Sequence, residues 1–333
     1  KAERERQKQL KSDAWKKRRA EEILFIGKGY SSLLGKKETD TQKLADNQMP
    51  LIETDRELAA FLQVDYRTLR GLAYHRDVVT FDNYYRFDIP KRSGGTRHIA
   101  APKTQLKTAQ RRILEQILQK TELADAAHGF RKERSVLTGA KAHGTSPDLL
   151  INIDLENFFP TITFARVRGL FQSFGYSGYI ASLLAMICTY CERMPLEVKG
   201  KIKYIKTSER ILPQGSPASP MITNILCRNM DKRILGLCQK LGLTYTRYAD
   251  DMSFSFSGDM ETFAVGSFLH SLEKIIEAEG FHMNQEKTHI LRGNSRQYIT
   301  GIVINHEEIG VPRKWIKILR ASIYNAKKLR DSG

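Results

Sequence analysis

A hairpin that carries paired aspartates constrains this chain more than any other feature. Thr244 to Ala249 and Met252 to Ser257 read as two strands, because Met252, Phe254 and Phe256 alternate with Ser253, Ser255 and Ser257 and set an apolar face against a polar one. Asp250-Asp251 is expected in the connection, inside the tetrapeptide Tyr248-Ala249-Asp250-Asp251. Taken alone, that pair could be simple turn chemistry. Upstream, Leu149 to Leu155 reads as another strand, with Leu149, Ile151, Ile153 and Leu155 on one face and Leu150, Asn152 and Asp154 on the other. Asp154 then projects away from the fully apolar face. If the two strand elements lie side by side, Asp154, Asp250 and Asp251 supply the carboxylates of a two-metal site.

Joining a nucleotide to a 3′ hydroxyl requires an activated oxygen and compensation of the charge on phosphate and pyrophosphate. Two divalent ions about 4 Å apart do both. Mg²⁺ is the expected cofactor, with Mn²⁺ as a substitute, since a hard cation that keeps several waters needs only a few carboxylates on rigid strands.

Composition agrees with a polyanionic partner. The 54 Lys+Arg against 37 Asp+Glu give a formal charge of +17, and each basic group set against a phosphate releases counterions. Nucleic acid is favoured over membrane, because no basic amphipathic anchor stands out. The longest near-continuous apolar stretch, Tyr179 to Tyr190, falls well short of the roughly 20 residues that span a bilayer, and no secretory signal opens the chain. A cytoplasmic protein is expected. Of Cys188, Cys191, Cys227 and Cys238, one pair forms C-x-x-C without a second pair at zinc spacing, so reduced core cysteines are expected. The chain begins at Lys1, so its natural N-terminus is expected to lie upstream.

Residues 1 to 20 read as a charged helix or arm, and 36 to 50, which lack apolar periodicity, as a linker. Thr54-Asp55-Arg56-Glu57 is a capping box for a helix with Leu58, Phe61 and Leu62 inward, and a second short helix starts at Tyr66. Tyr84 to Ile89 and Arg97 to Ala101 form a hairpin with a basic tip. Thr104 is expected to cap a helix with Leu106, Ala109, Ile113, Leu114, Ile117 and Leu118 on one face. Helical periods follow at Phe164 to Phe171 and from Ile222 to Leu237, the latter closed by Gly242. A helix from Phe263 to Ala278, a strand from Ile299 to Ile304 and a basic helix from Arg313, with Ile316, Leu319, Ile323 and Ala326 inward, complete the chain.

With these residues in view, the sequence resembles reverse transcriptases, and among them bacterial retron reverse transcriptases, from about Thr54 to Ala326. The motifs occur in the family's order: Ile151-Asn152-Ile153-Asp154-Leu155-Glu156-Asn157-Phe158-Phe159-Pro160, Leu212-Pro213-Gln214-Gly215-Ser216-Pro217, Arg247-Tyr248-Ala249-Asp250-Asp251, and Gly280-Phe281 through Lys287-Thr288. The resemblance implies that Asp154, Asp250 and Asp251 are catalytic metal ligands, with the Leu155 carbonyl as a further ligand. It implies that Phe159 blocks a 2′ hydroxyl, that Gln214 and Gly215 lie along the incoming nucleotide, that Lys91 and Arg97 grip its triphosphate, and that Lys287 protonates the leaving pyrophosphate.

Two elements point to retrons. Tyr298-Ile299-Thr300-Gly301 is similar to the retron Val-Thr-Gly element, with Ile for Val, and Gly139-Ala140-Lys141-Ala142-His143 to Asn-Ala-x-x-His, with Gly for Asn. His143, Ile299, Thr300, Gly301, Arg313 and Lys314 are the expected RNA contacts. The implied fold is an α/β (α+β) right-hand polymerase: an extension and linker over 1–53, fingers over 54–147, a palm over 148–310 and the start of a thumb over 311–333. The family's thumb normally continues beyond such a point, so part of the protein is expected to be missing here, and the effector is expected either as a separate protein or as a fused C-terminal domain.

The implied activity is RNA-directed synthesis of branched RNA-linked DNA from dNTPs on a cognate structured non-coding RNA, leaving an RNA–DNA hybrid, in antiphage defence with a partner effector. Open alternatives are another prokaryotic reverse transcriptase, of group II intron or non-retron defence type, and a nucleic-acid-binding or antitoxin-like module without catalysis. An RNA polymerase is disfavoured by Phe159.

Overall fold

The computed structural model describes residues 2–90, 94–305 and 308–331. From the N-terminus come α1 (Ala2–Glu21), α2 (Thr41–Asp46), α3 (Asp55–Leu62), α4 (Tyr66–Leu72), β1 (Val78–Val79), β2 (Tyr84–Pro90), β3 (Thr96–Pro102) and α5 (Thr104–Gln116). The middle of the chain forms α6 (Val136–Ala142), β4 (Leu149–Asp154), α7 (Phe164–Ser173), α8 (Gly178–Cys188), β5 (Arg193–Val198), β6 (Lys201–Lys206) and α9 (Ser219–Leu226). There follow α10 (Arg228–Leu241), β7 (Leu243–Tyr248), β8 (Asp251–Phe256), α11 (Val265–Ala278), β9 (His289–Arg292), β10 (Tyr298–Ile299), β11 (Ile302–Val303) and α12 (Arg313–Asp331). Two compact units result, one from Lys1–Glu122 with Phe159–Ile222, the other from Leu123–Phe158 with Thr223–Gly333.

The first unit is built around α8, which is buried on every side and so accounts for the apolar run from Tyr179. The capping box at Thr54 forms as expected. Beside it Asp55 is buried yet accepts from the Ile23 amide (2.8 Å) and the hydroxyls of Tyr66 (2.8 Å) and Tyr179 (2.7 Å), partners that offset the cost of burying a carboxylate. The expected linker over 36–50 is instead packed: Asp40 caps α2, Leu44 and Met49 are buried, and the Asp40 amide donates to the Gly175 carbonyl at 2.9 Å. Its few apolar residues are too sparse for a period, but Leu44 and Met49 find the core. Thr104 is the first residue of α5 rather than its cap, a place taken by Lys103 without a side-chain bond.

The second unit centres on an antiparallel four-stranded sheet in the order β7-β8-β4-β9. One face carries Ile151, Phe254 and Tyr245 in register, with Tyr245 stacked on Phe254 at 4.9 Å and Phe268 of α11 edge-on to Phe254 at 5.2 Å. On the other face Leu150 joins Ala140, Ile299 and Ile304 in a small apolar cluster. The serines of β8 are therefore buried too.

The helical pattern from Ile222 to Leu237 splits into α9 and α10, which ends on Gly242 at φ 70°. The expected strand from Ile299 to Ile304 is a small hairpin whose loop, Thr300-Gly301, has positive φ at both positions (46° and 88°), the geometry of a type I′ turn. In α12, Ile316 is half-buried whereas Leu319 and Ile323 are exposed, so the apolar stripe read as inward lacks a cover among the described residues.

Candidate active site

The carboxylates meet because register brings them together. Asp154, the last residue of β4, lies directly opposite Asp251, the first of β8, and Tyr248 of β7 lies opposite Asp251 on the other side. Directly opposed residues share a face. Only Ala249-Asp250 forms the connection, so Asp251 belongs to the strand and not, as expected, to the loop. The Leu155 amide donates to the Asp250 carbonyl at 3.2 Å, tying the end of β4 to the turn. The Asn284 amide donates to the Asp154 carbonyl at 2.8 Å from the segment that bears Lys287.

The Lys287 ammonium sits 2.8 Å from Asp154 Oδ1. Its pKa is raised, first by that hydrogen bond and further by the charges of Asp154, Asp250 and Asp251, against the opposing effect of burial. One ammonium thus senses all three carboxylates, and a cation already stands where their negative charge accumulates. The hard oxygen donors suit Mg²⁺. Among the described residues no three His, Cys, Asp or Glu side chains are gathered as a finished metal cage, and the Lys287 ammonium bonds one of the candidate ligands, Asp154.

Behind the turn lies a buttress that sequence reading missed. Ala249 has φ +59°, a strained value for a residue with a Cβ. Its carbonyl accepts from Arg247 Nη1 at 3.0 Å, while the same guanidinium binds Asp231 through Nε (2.8 Å) and Nη2 (2.7 Å) and reaches Asn224 Oδ1 at 3.1 Å. Asn224 in turn donates to the Gly129 carbonyl at 2.7 Å. Gly129 abuts the turn so closely that a Cβ there would lie 2.9 Å from the Ala249 nitrogen. Phe130 stacks obliquely on Tyr248 at 5.6 Å. The available signal was an aspartate, Asp231, within the apolar stripe of Met230 and Ile234 and a lone Arg247 in a strand.

His143 departs from its expected role. It is 6% exposed, with Nδ1 2.7 Å from Ser255 Oγ and Nε2 2.8 Å from Thr246 Oγ1, so it fastens β7 to β8 and is closed off from RNA. The hydroxyls of a sheet face that reads as solvated in sequence select it. Gly139, where the retron element has Asn, is buried with its α-carbon facing His128. Ile299 is likewise buried, leaving Thr300 and Gly301 as the accessible part of that element. Arg313 and Lys314 are exposed at the start of α12.

The remaining residues singled out from sequence belong to the first unit. Arg97 is exposed on β3, opposite Ile89, and Lys91 lies outside the described residues. The Gln214 carbonyl accepts from the Ala100 amide at 2.8 Å, and Gly215, at φ +119°, leaves no room for a Cβ, which would lie 3.0 Å from the Ala100 carbonyl oxygen. That close approach is a physical reason for glycine in the Leu212–Pro217 turn. Phe159 is half-buried next to a fully packed Phe158, whose ring contacts Phe281 at 5.4 Å. Cys188, Cys191, Cys227 and Cys238 are all buried and none is joined in a disulfide, as expected. No helix among the described residues is long and apolar enough to cross a membrane.

Known proteins resemble this chain over most of its length. A family model described as reverse transcriptase (RNA-dependent DNA polymerase) matches residues 89–310. The retron Mx162 reverse transcriptase of Myxococcus xanthus is 38% identical over 85% of this chain and 60% of its own length. The retron Mx65 reverse transcriptase of the same organism is 38% identical over 88% of this chain and 67% of that protein. The retron Ec86 reverse transcriptase of Escherichia coli is 34% identical over 86% and 82%. This chain therefore spans only 60% of the first of these relatives. An α/β chain with paired strand-end aspartates, matched over most of its length by these proteins, belongs to the reverse transcriptase family, of the retron type, with that family's right-hand polymerase fold.

Proposed function

We propose that the chain is an RNA-directed DNA polymerase that copies a cognate structured non-coding RNA into branched, RNA-linked DNA. The observation that supports this best is the opposition of Asp154 and Asp251 across β4 and β8, with Asp250 on the adjoining turn. Asp154, Asp250 and Asp251, with the Leu155 carbonyl, would hold Mg²⁺ or Mn²⁺. When bound, two such ions activate the attacking oxygen and offset the charge on the transferred phosphate and on pyrophosphate. Lys287, whose ammonium bonds Asp154, would donate a proton to the leaving pyrophosphate.

Phe159 would exclude a 2′ hydroxyl, Gln214 and Gly215 would flank the incoming dNTP, and Lys91 and Arg97 would hold its triphosphate. In the functional division proposed here, fingers occupy 54–147, a palm 148–310 and the start of a thumb 311–333, with 1–53 preceding them. Thr300, Gly301, Arg313 and Lys314 would contact RNA through backbone and shape, the usual basis of RNA recognition. The template RNA would supply a priming 2′ hydroxyl, and an effector protein, separate or fused, would couple cytoplasmic synthesis to antiphage defence.

Expression with its cognate RNA followed by sequencing of the co-purified nucleic acid tests the proposal. A covalent RNA–DNA branch is expected. DNA without a branch would place the chain with other prokaryotic reverse transcriptases, and no DNA at all would favour a binding module without catalysis.

A further inference from the structure

The first unit holds an open cleft of about 470 Å³ that the chemistry above does not use. Its size falls within the range typical of small-ligand sites. The segment from Tyr74 to Arg86 forms one wall and Thr189 to Arg193 another, with Arg210 at the base.

Its charge is one-sided. Arg76, Arg86, Arg193 and Arg210 line it against one carboxylate, Asp82, which is already paired with Arg86. Arg193 donates to the carbonyls of Arg76 (2.6 Å), Asp77 (3.3 Å) and Tyr204 (3.3 Å), and Arg210 to the Met186 carbonyl (2.6 Å) and the Thr189 hydroxyl (3.1 Å). Carbonyls satisfy the N–H groups without neutralising the cation. Among the described residues none of Arg76, Arg193 and Arg210 pairs with a carboxylate. The field reaches the adjacent buried His75, whose pKa is pushed down to about 4 by burial first and then by Arg210, Arg193 and Lys206.

Its aromatic groups are accessible. Phe81 and Tyr74 line the cleft at 62% and 37% exposure, each with a cation over one ring face, Lys103 Nζ 4.1 Å from the Phe81 ring centre and the Arg76 guanidinium 5.0 Å from that of Tyr74, which leaves the opposite face for a base. A phenyl ring held open to water offers a stacking surface, and the neighbouring cations draw a phosphate to the same place. An acidic peptide would use the charges but not the flat rings. A ligand with a planar base and an attached phosphate uses both.

We propose that this cleft holds an unpaired nucleotide of a structured RNA, its base against Phe81 or Tyr74 and its phosphate toward Arg76 and Arg193. The inference rests on the reading of this chain as an RNA-copying enzyme and assigns it an RNA-holding site that copying itself does not require. The test uses the full chain and three labelled probes: an RNA hairpin with an unpaired loop, a blunt RNA duplex of the same stem, and a DNA hairpin with the same loop. Extension of oligo(dT) on poly(rA) is measured alongside.

Phe81→Ala should weaken binding of the RNA hairpin about tenfold, within the span measured for base–aromatic stacking. Phe81→Trp should restore it. Arg76→Ala should reduce the salt dependence of hairpin binding by about one counterion. Duplex binding and poly(rA) extension should stay at the wild-type level in every variant. The proposal is overturned if Phe81→Ala leaves hairpin binding intact, if the loss is equal for the duplex or the DNA hairpin, or if extension falls in parallel, which would put the cleft on the template path. Wild-type protein that bound these probes as described yet failed to extend poly(rA) would contradict the enzymatic reading and leave the cleft supported.

Discussion

Arg247 and Asp231 form a two-point ion pair with neither side chain reaching solvent, and the same guanidinium holds the carbonyl of Ala249 in the aspartate turn. Burial alone would lower the pKa of Arg247, but the Asp231 carboxylate overrides it and keeps the guanidinium charged. Removing one member of such a pair leaves an uncompensated buried charge, at a cost of about 3–5 kcal/mol. Arg247→Ala should therefore lose about that much stability in urea unfolding. Arg247→Lys, which keeps the charge but loses the fork, should stay folded at low temperature with a kcat reduced more than tenfold and little change in KM for dNTP. A lysine variant with wild-type kcat would remove Arg247 from positioning the turn.

Gly129 tests the same buttress sterically. A Cβ there meets the backbone nitrogen of Ala249 at 2.9 Å, an atom that cannot swing aside. Gly129→Ala should displace the turn and lower primer-extension kcat by at least about tenfold, the penalty expected when reacting groups shift by a fraction of an ångström to one ångström. Gly266→Ala in α11, where nothing lies within 4 Å, is the control and should be neutral or slightly stabilising. Equal activity in the two variants would contradict a steric role for Gly129 behind the turn.

The hairpin, the strand of Asp154 and most helices were legible because each announces itself by local period: alternation in Met252–Ser257, the apolar stripe of α5, the capping box at Thr54. The buttress was not, since Arg247, Asp231, Asn224 and Gly129 are brought together only by the fold. His143 was misread for a related reason. A serine-rich strand face looks wet in sequence, and only the covering α6 and the β10–β11 hairpin make it an interior polar layer. The β5–β6 hairpin was overlooked although Lys199-Gly200, with positive φ at both positions, marks its turn between alternating residues. The exposed stripe of α12 shows the opposite limit, where a period is present but its partner is not among the described residues.

Acid should destabilise the protein in part through His143, alongside His75. The pKa of His143 is lowered to about 4 against an ordinary 6.5, by burial and then by the charge of His128. Because the folded state binds this proton less readily than the unfolded state, the contribution is complete above pH 6.5 and is lost as pH falls from 6.5 toward 4. At about 1.4 kcal/mol for each pH unit between those two values, up to about 3 kcal/mol is at stake. Thermal melting between about pH 7 and 4.5 should show this slope. His143→Asn should lower Tm at neutral pH and flatten the slope; an unchanged slope would assign the acid sensitivity to other groups.

Phe159 carries the proposed choice of sugar. Phe159→Ala should raise the ratio of ribonucleotide to deoxynucleotide incorporation by about tenfold or more, read from single-nucleotide extension with each triphosphate, since a steric block is removed without touching the carboxylates. An unchanged ratio would free Phe159 of that role.

Asp154, Asp250 and Asp251 are proposed to act as one divalent-metal centre for DNA synthesis on RNA, and the proposed function depends on it. The most direct measurement is extension of a DNA primer on an RNA template by wild type and by Asp251→Asn, a near-isosteric change that removes one charge while leaving the Asp154-facing register in place. Wild type should extend the primer only with Mg²⁺ or Mn²⁺ present, and the variant should lose at least about a thousandfold in rate, about 4 kcal/mol of transition-state stabilisation, with primer–template binding retained. Extension by Asp251→Asn at the wild-type rate would contradict such a centre.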